Sequence, residues 1–363
     1  MQQQMCELVK QLAAINSFSQ NREGLQQMFE AVRSAFLTLN PDTIEQIDFE
    51  NGPGLYLTKR PDAPNQIYLG GHLDTVFPKT STFQVEECEN GILKGPGVTD
   101  MKSGLVIMLY ALKDELPKSW GWRVFLNPDE EIGSIYSTPF IEKVARGVDF
   151  ALIFEPMLPD GSYVKARRGS INYVAAAIGR AAHVGRNPHE GICANTALAG
   201  FIYAASKLDS TLATVKVGTM KGGVAANVVS DYAECQVNIR SYKLDKVEKK
   251  LFRLAKKFGV TIERKTTRPP KPYDLATKDL FNTLAKLTEV KLQETAGVCD
   301  GNTVAALGVP TIDTMGALGG KIHTEEEFLQ IDSLVKKARL TRQFLIERTH
   351  ASHCGQTSCG CRP

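Results

Sequence analysis

Residues 66–74 read Gln-Ile-Tyr-Leu-Gly-Gly-His-Leu-Asp. The run from Gln66 to Gly70 has the unbroken β-rich, apolar character of a strand buried on both faces, the kind found in parallel sheets covered by helices. Arg123–Leu126 and Phe150–Phe154 have the same texture. Helical periodicity lies around and between them, near 1–14, 22–39, 102–115 and 134–145, and returns near 193–207, 244–257, 276–287 and 331–348. Strands alternating with helices predict an α/β domain with a mainly parallel central sheet.

From about Lys165 the texture changes. Ile171–Gly179, Ala213–Thr219 and Asp231–Arg240 alternate with two helical stretches, which predicts a separate α+β module built on an antiparallel sheet. The α/β pattern resumes after Arg268-Pro269-Pro270-Lys271-Pro272. The expected division is therefore a main domain in two parts, 1–166 and 271–348, interrupted by a smaller domain over 167–270, with a disordered tail over 349–363.

The 363 residues are 43% hydrophobic, enough to build one large or two medium cores, and neither collagen-like nor disordered in composition. Lys and Arg number 43 against 40 Asp and Glu, and this dispersed net charge of +3 gives no footprint for nucleic acid or an anionic membrane. Met1–Ala14 lacks the basic start and apolar block of a secretory signal, and no stretch approaches 18 uncharged apolar residues. A soluble, cytoplasmic protein acting on a small molecule or peptide is expected. Cys6, Cys88, Cys193, Cys235 and Cys299 follow no metal or disulfide spacing and read as thiols. His350, His353, Cys354, Cys359 and Cys361 form one short terminal cluster without a second half, and belong to the expected tail.

Functional groups of α/β sheets gather at the carboxyl ends of the strands. Here the first buried strand ends in Gly71-His72-Leu73-Asp74, the next in Asn127-Pro128-Asp129-Glu130-Glu131, and the third in Phe154-Glu155-Pro156. Gly95-Pro96-Gly97-Val98-Thr99-Asp100-Met101-Lys102 precedes a helix, and His323-Thr324-Glu325 follows a Gly-rich loop late in the chain. Carboxylates converging on one rim cannot all ionise without strong repulsion, which divalent cations remove. With His72, Asp100, Glu131, Glu155 and His323 as ligands, three carboxylates against two divalent ions leave one positive charge, which a bridging hydroxide cancels. Mixed imidazole and carboxylate ligation suits zinc, with cobalt or manganese as substitutes. The turn at 95–103 is not a phosphate loop, because Met101 stands where glycine must precede the lysine.

Together, His72-x-Asp74, Gly95-Pro96-Gly97 with Asp100-Met101-Lys102-x-Gly104, Asp129-Glu130-Glu131-x-Gly133-Ser134, Glu155-Pro156 and His323 resemble the co-catalytic dizinc peptidase and deacylase family. Its members include glutamate carboxypeptidase, acetylornithine deacetylase and succinyl-diaminopimelate desuccinylase, and the local texture is closest to the glutamate carboxypeptidase branch. The resemblance implies a dizinc-exopeptidase-like catalytic domain interrupted by a lid domain that pairs two chains. It implies that Asp100 bridges the metals, that His72 and Glu155 bind one and that Glu131 and His323 bind the other. Glu130 becomes the general base, while Asp74 orients His72.

In the inserted module the resemblance marks His183 as an oxyanion stabiliser, Asn227 and Arg240 as lid positions, and Arg268 as a clamp on the substrate carboxylate. His189 reads as structural or solvent-exposed. Two features depart from the family: Gly297-Val298-Cys299-Asp300-Gly301 lacks the usual small residues before its Asp, and no basic residue between Glu155 and Lys165 matches the one used by glutamate-selective members. The expected activity is hydrolysis of an amide bond beside a free carboxylate, on a small peptide, with an N-acyl amino acid as the alternative substrate. A metal-bearing binding protein without turnover is the alternative from another class.

Overall fold

Tyr68 and Leu69 are neighbours in the chain and belong to different cores. Leu69, Val124 and Leu152 pack with Leu105, Leu334 and Phe344, while Tyr68, Phe125 and Ile153 pack with Ile141, Val144 and Val304 on the other face. Both alternating sets are apolar, so these strands read as continuous hydrophobic runs. The computed structural model describes residues 1–351. They form two compact units, one of Met1–Ala166, Pro272–Glu294 and the chain from Cys299 onward, the other of Arg167–Lys271 with Thr295–Val298.

The central sheet of the larger unit has six strands in the order Thr43–Asp48, Pro53–Lys59, Trp120–Asn127, Asn65–His72, Phe150–Ile153 and Thr311–Ile312. The first two pairings are antiparallel and the other three are parallel, which makes the sheet mainly parallel as expected. His72 pairs with Asn127 at the last rung, and Gly70 with Ile153, so three strands deliver their following loops to one edge. The Ser103–Ala111 helix is apolar around nearly its whole circumference, and all but Tyr110 of its residues are buried.

A second, four-stranded antiparallel sheet joins Gly319–Gly320, Phe328–Gln330, Ile92–Lys94 and Glu86–Cys88. It ties the strand before the Gly95–Lys102 turn to the segment that carries His323. The smaller unit is a four-stranded antiparallel sheet, ordered Ala213–Gly222, Tyr232–Ser241, Gly169–Ile178 and Val260–Arg268. Ile171, Tyr173, Ala175 and Ala177 point to its core, and the helices Ala194–Ser206 and Leu244–Phe258 close that face.

Strands Thr43–Asp48 and Val260–Arg268 escape the sequence pattern because each is an edge strand whose outer residues are polar. Asp300–Ala306 is missed because a seven-residue helix containing Gly, Asn and Thr has almost no periodicity to show. The last helix, Ile331–Ala351, runs past the expected stop at 348. The remainder of the expected tail, with His353, Cys354, Cys359 and Cys361, lies outside the described residues. Among the described residues no helix is long and apolar enough to cross a membrane.

Candidate metal centre

His72 is the final residue of a buried strand, and its imidazole is fixed from both sides. Nδ1 lies 3.0 Å from the carbonyl oxygen of Asp74 and 3.2 Å from its Oδ1, so the N–H belongs on Nδ1. Nε2, on the opposite side of the ring, lies 3.3 Å from Asp100 Oδ1, where it can ligate a cation or, when protonated, donate to that carboxylate.

The other oxygen of Asp100 has the same relation to the second imidazole. His323 Nε2 lies 3.3 Å from Asp100 Oδ2 and 3.1 Å from Glu131 Oε2. Glu155 Oε1 is 4.0 Å from His72 Nε2. Donor atoms of His72, Asp100 and Glu131 all fall within 4.8 Å of one another. The five expected ligands are thus brought to one place in the larger unit, with Asp100 in the middle.

The protonation equilibria carry the imprint of this crowding. The carboxylates of Asp100 and Glu131 push the His323 imidazole up to about 11. Burial works to lower His72, but hydrogen bonds to Asp100 and Asp74 outweigh it and hold the ring well above the usual histidine range. Burial and the Asp100 charge both raise Glu131. Asp100 itself is lowered, because its bonds to His323 and His72 overcome burial. A cluster that draws protons this strongly is one whose donor set fits cations, and two imidazoles with three carboxylates suit zinc, cobalt or manganese.

The local sequence explains how the donors are held. Asp74 accepts the backbone N–H of Glu130 at Oδ1 and that of Glu131 at Oδ2, each at 3.1 Å, and Ser19 Oγ at 2.7 Å. One carboxylate therefore orients His72 and also fastens the loop that presents both glutamates. On the far side of that loop, Asp129 accepts Ser137 Oγ and the N–H of Tyr136, while Asp300 accepts Asn127 Nδ2 and Ser134 Oγ. Burial raises the Asp129 carboxyl to about 6.

The Asp100 turn has its own anchor. Fully buried Glu327 accepts the N–H groups of Thr99 at 2.8 Å and Asp100 at 3.0 Å through Oε1, and of Gly97 at 3.3 Å through Oε2. Gly97 sits at φ +71, and a Cβ there would stand 2.6 Å from Thr75 Cγ2. A side chain at Gly104 would meet the carbonyl oxygen of Phe154 at 2.2 Å, so the helix can approach the strand that leads to Glu155 only as glycine. Lys102 is also buried, donating to the Ile15 carbonyl at 2.9 Å, and burial lowers its ammonium to about 7.

Glu327 and Ser19 are not singled out by the sequence motifs. The four-residue spacing of Glu327 from His323 is the one available signal, and it lies in a run of three glutamates that looks like a solvated surface. Ser19 is 55 residues from its partner Asp74 and has no local signature.

The remaining expected residues belong to the smaller unit. His183 is exposed and pairs with Val228, and the Val184 N–H donates to the Asn227 carbonyl, so His183 and Asn227 occupy one patch. His189 is exposed nearby in sequence. Arg240 is held by the Ala296 carbonyl at 2.6 Å. Arg268 closes its strand opposite Ser170 and is only 4% exposed, whereas neighbouring Arg264 is paired with Glu248.

Residues 68–347 match the model of peptidase family M20/M25/M40. The chain belongs to that family. It is the metal-dependent peptidase and deacylase family that the motifs resemble, and the chain is accordingly a hydrolase of amide bonds. Carboxypeptidase G2 of Pseudomonas sp. strain RS-16 is 25% identical over 314 residues, 77% of this chain and 73% of that protein. The succinyl-diaminopimelate desuccinylase of Dechloromonas aromatica is 27% identical over 337 residues, 84% of this chain and 88% of that protein. Among solved structures, the M20 family metallo-carboxypeptidase Sso-CP2 of Sulfolobus solfataricus has the same fold, with a TM-score of 0.76 at 18% identity over 95% of this chain and 99% of that one.

Proposed function

We propose that this M20 chain is a two-metal carboxypeptidase, cleaving the amide bond next to a free carboxylate. The observation that carries the reading is Asp100, whose two oxygens each face a different histidine at 3.3 Å. In this reading His72 and Glu155 would hold one zinc ion and Glu131 and His323 the other, with cobalt or manganese as substitutes. When bound, two such ions would supply acidification of a water toward neutrality and polarisation of the scissile carbonyl. Glu130, tethered through its N–H to Asp74, is the base that would accept a proton from the attacking water and pass it to the leaving amine. His183 donates to the developing oxyanion, Asn227 orients the substrate, and Arg268 grips its carboxylate as a planar bidentate donor.

A second reading, an N-acyl-amino-acid deacylase, is favoured by the 27% identity to the desuccinylase. Both use the same ligand set and differ in the acyl group. The five described cysteines carry thiols, which supports work in the cytoplasm. Exposed Ile178, Met220 and Val224 support a homodimer formed through the smaller unit.

The deciding experiment assays zinc-, cobalt- and manganese-loaded protein on C-terminal dipeptides and N-acyl amino acids, with metal content measured in parallel. Cleavage restricted to the first series supports the carboxypeptidase, and cleavage restricted to the second supports the deacylase. Glu130→Gln is expected to keep about two metals per chain, as expected for a base that is not a ligand, and to lose turnover. No turnover by metal-loaded wild-type protein on either series would favour a binding protein instead.

A further inference from the structure

Beside His323, the larger unit has a pocket of about 450 Å³ lined by Val76, Phe77, Ser81, Thr324 and Glu325, among others. Its position follows from two loops already used by the centre. Val76 and Phe77 follow Asp74 after one intervening residue, Thr75, and Thr324 and Glu325 come directly after His323. Ser81 Oγ donates to Glu325 Oε1 at 3.3 Å and links the two loops across the pocket. The volume is ample for an amino-acid side chain or a short acyl chain.

The walls differ in chemistry. Val76 and Phe77 offer apolar surface, and Thr324 and Ser81 offer hydroxyls. Among the described residues of the lining, Glu325 brings a carboxylate, while the His323 imidazole is engaged with Asp100 and Glu131. The nearby cations are turned elsewhere, Lys79 to Glu23 at 3.3 Å and Lys321 to Glu326. A ligand group lodged on the side of the pocket away from His323 meets the Glu325 carboxylate.

Resting on the function proposed above, we propose that this pocket receives the acyl side of the scissile bond and selects an acyl group bearing an alkylammonium over one ending in a carboxylate. The apolar wall takes the methylene chain, and Glu325 takes the ammonium at its end. A succinyl group would place a carboxylate against Glu325, so the pocket opposes the desuccinylase reading on electrostatic grounds.

The test compares kcat/KM of zinc-loaded protein on one C-terminal amino acid carrying lysyl, 6-aminohexanoyl, acetyl or succinyl groups. The lysyl compound has two amines and the aminohexanoyl compound only the distal one, which separates an α-amino from a chain-end source of the charge. Wild-type protein is expected to prefer the ammonium-bearing compounds to the succinyl compound. In Glu325→Gln the ratio of aminohexanoyl to acetyl should fall about tenfold, the scale of one solvent-screened charge contact, and in Glu325→Lys the succinyl compound should overtake it. Ratios that stay the same across all three proteins, or a wild-type preference for succinyl, overturn the pocket assignment while leaving the hydrolase intact. If no compound is cleaved, the function reading fails, and the same series is titrated calorimetrically. Equal affinities of aminohexanoyl and succinyl compounds then overturn the pocket assignment as well, and tighter aminohexanoyl binding that Glu325→Lys abolishes upholds it.

Discussion

Replacing Glu327 by Gln separates the anchoring of Asp100 from the stability of the fold. Burial pushes the Glu327 carboxyl up to about 7 from the ordinary glutamate range, against the pull of three backbone N–H donors. Relative to a usual value near 4.5, that elevation means that ionised Glu327 costs the native state about 3 kcal/mol. Glutamine removes this cost. It keeps one oxygen for the N–H groups of Thr99 and Asp100, but sets an NH2 against the N–H of Gly97, an orphaned donor worth about 1–3 kcal/mol. The two effects nearly offset.

Glu327→Gln is therefore expected to unfold within a few degrees of the wild-type midpoint, since about 1 kcal/mol corresponds to roughly 2–4 °C in a unit of this size. Function should behave differently, because the turn that carries Asp100 loses one of its three pins. Outer partners of metal ligands typically contribute about 10–100-fold in metal affinity or activity, and a loss in that range is expected here. Calorimetric melting, metal titration and kcat on the best dipeptide are measured on the same preparation. A midpoint lowered by more than about 10 °C would mean that the burial cost is misjudged. Full activity with unchanged metal affinity would mean that the Glu327 clamp does not position Asp100.

Asp74→Asn should leave the fold intact but cost about 10–100-fold in kcat, because an amide cannot accept from His72, Ser19 and the Glu130 and Glu131 amides together; initial rates at saturating zinc check this, and a wild-type rate would remove Asp74 from the positioning of the loop. Lys337 is buried, donating to the Tyr163 hydroxyl at 3.1 Å and the Thr314 carbonyl at 3.2 Å, and burial lowers its ammonium to about 7. Between that value and the ordinary lysine range the Lys337 site binds more protons in the unfolded chain than in the native one, so its own contribution to stability rises with pH from about 7 to 10.5, and Lys337→Met should subtract that increment from the pH slope of the wild type, as denaturant unfolding at stepped pH would show; equal slopes in both proteins would contradict it.

What could be read from the chain, and what could not, divides along physical lines. Among the expected ligands, His72, Glu131 and Glu155 stand out in the sequence because strand ends announce themselves locally, by an apolar run stopping at charged or imidazole side chains, while Asp100 and His323 are marked by the Gly-rich turns that precede them. Parallel pairing then aligns those stops, as it does for His72 and Asn127 on one rung. Edge strands such as Thr43–Asp48 and Val260–Arg268 have one wet side, and their mixed composition hides them among loops.

The supports of the centre were hidden for a different reason. A ligand must be a residue type with a lone pair for a cation, and that narrows the choice to a few letters of the sequence. A support has only to satisfy backbone N–H groups, which any carboxylate or hydroxyl at the right place can do, and the right place is set by tertiary contact. Glu327 reaches a turn 227 residues away, and Asp300 reaches Ser134 across 166. Asp74, Glu327 and Asp300 hold backbone and side-chain donors of the loops around Asp100 and the two glutamates, so those loops are positioned by protein contacts of their own. The shape of the neighbouring pocket is tied to them, since Phe77 and Glu325 ride on the same two loops as Asp74 and His323. Substrate choice and metal geometry are therefore coupled through the backbone, and a change made to alter one should be assayed for both.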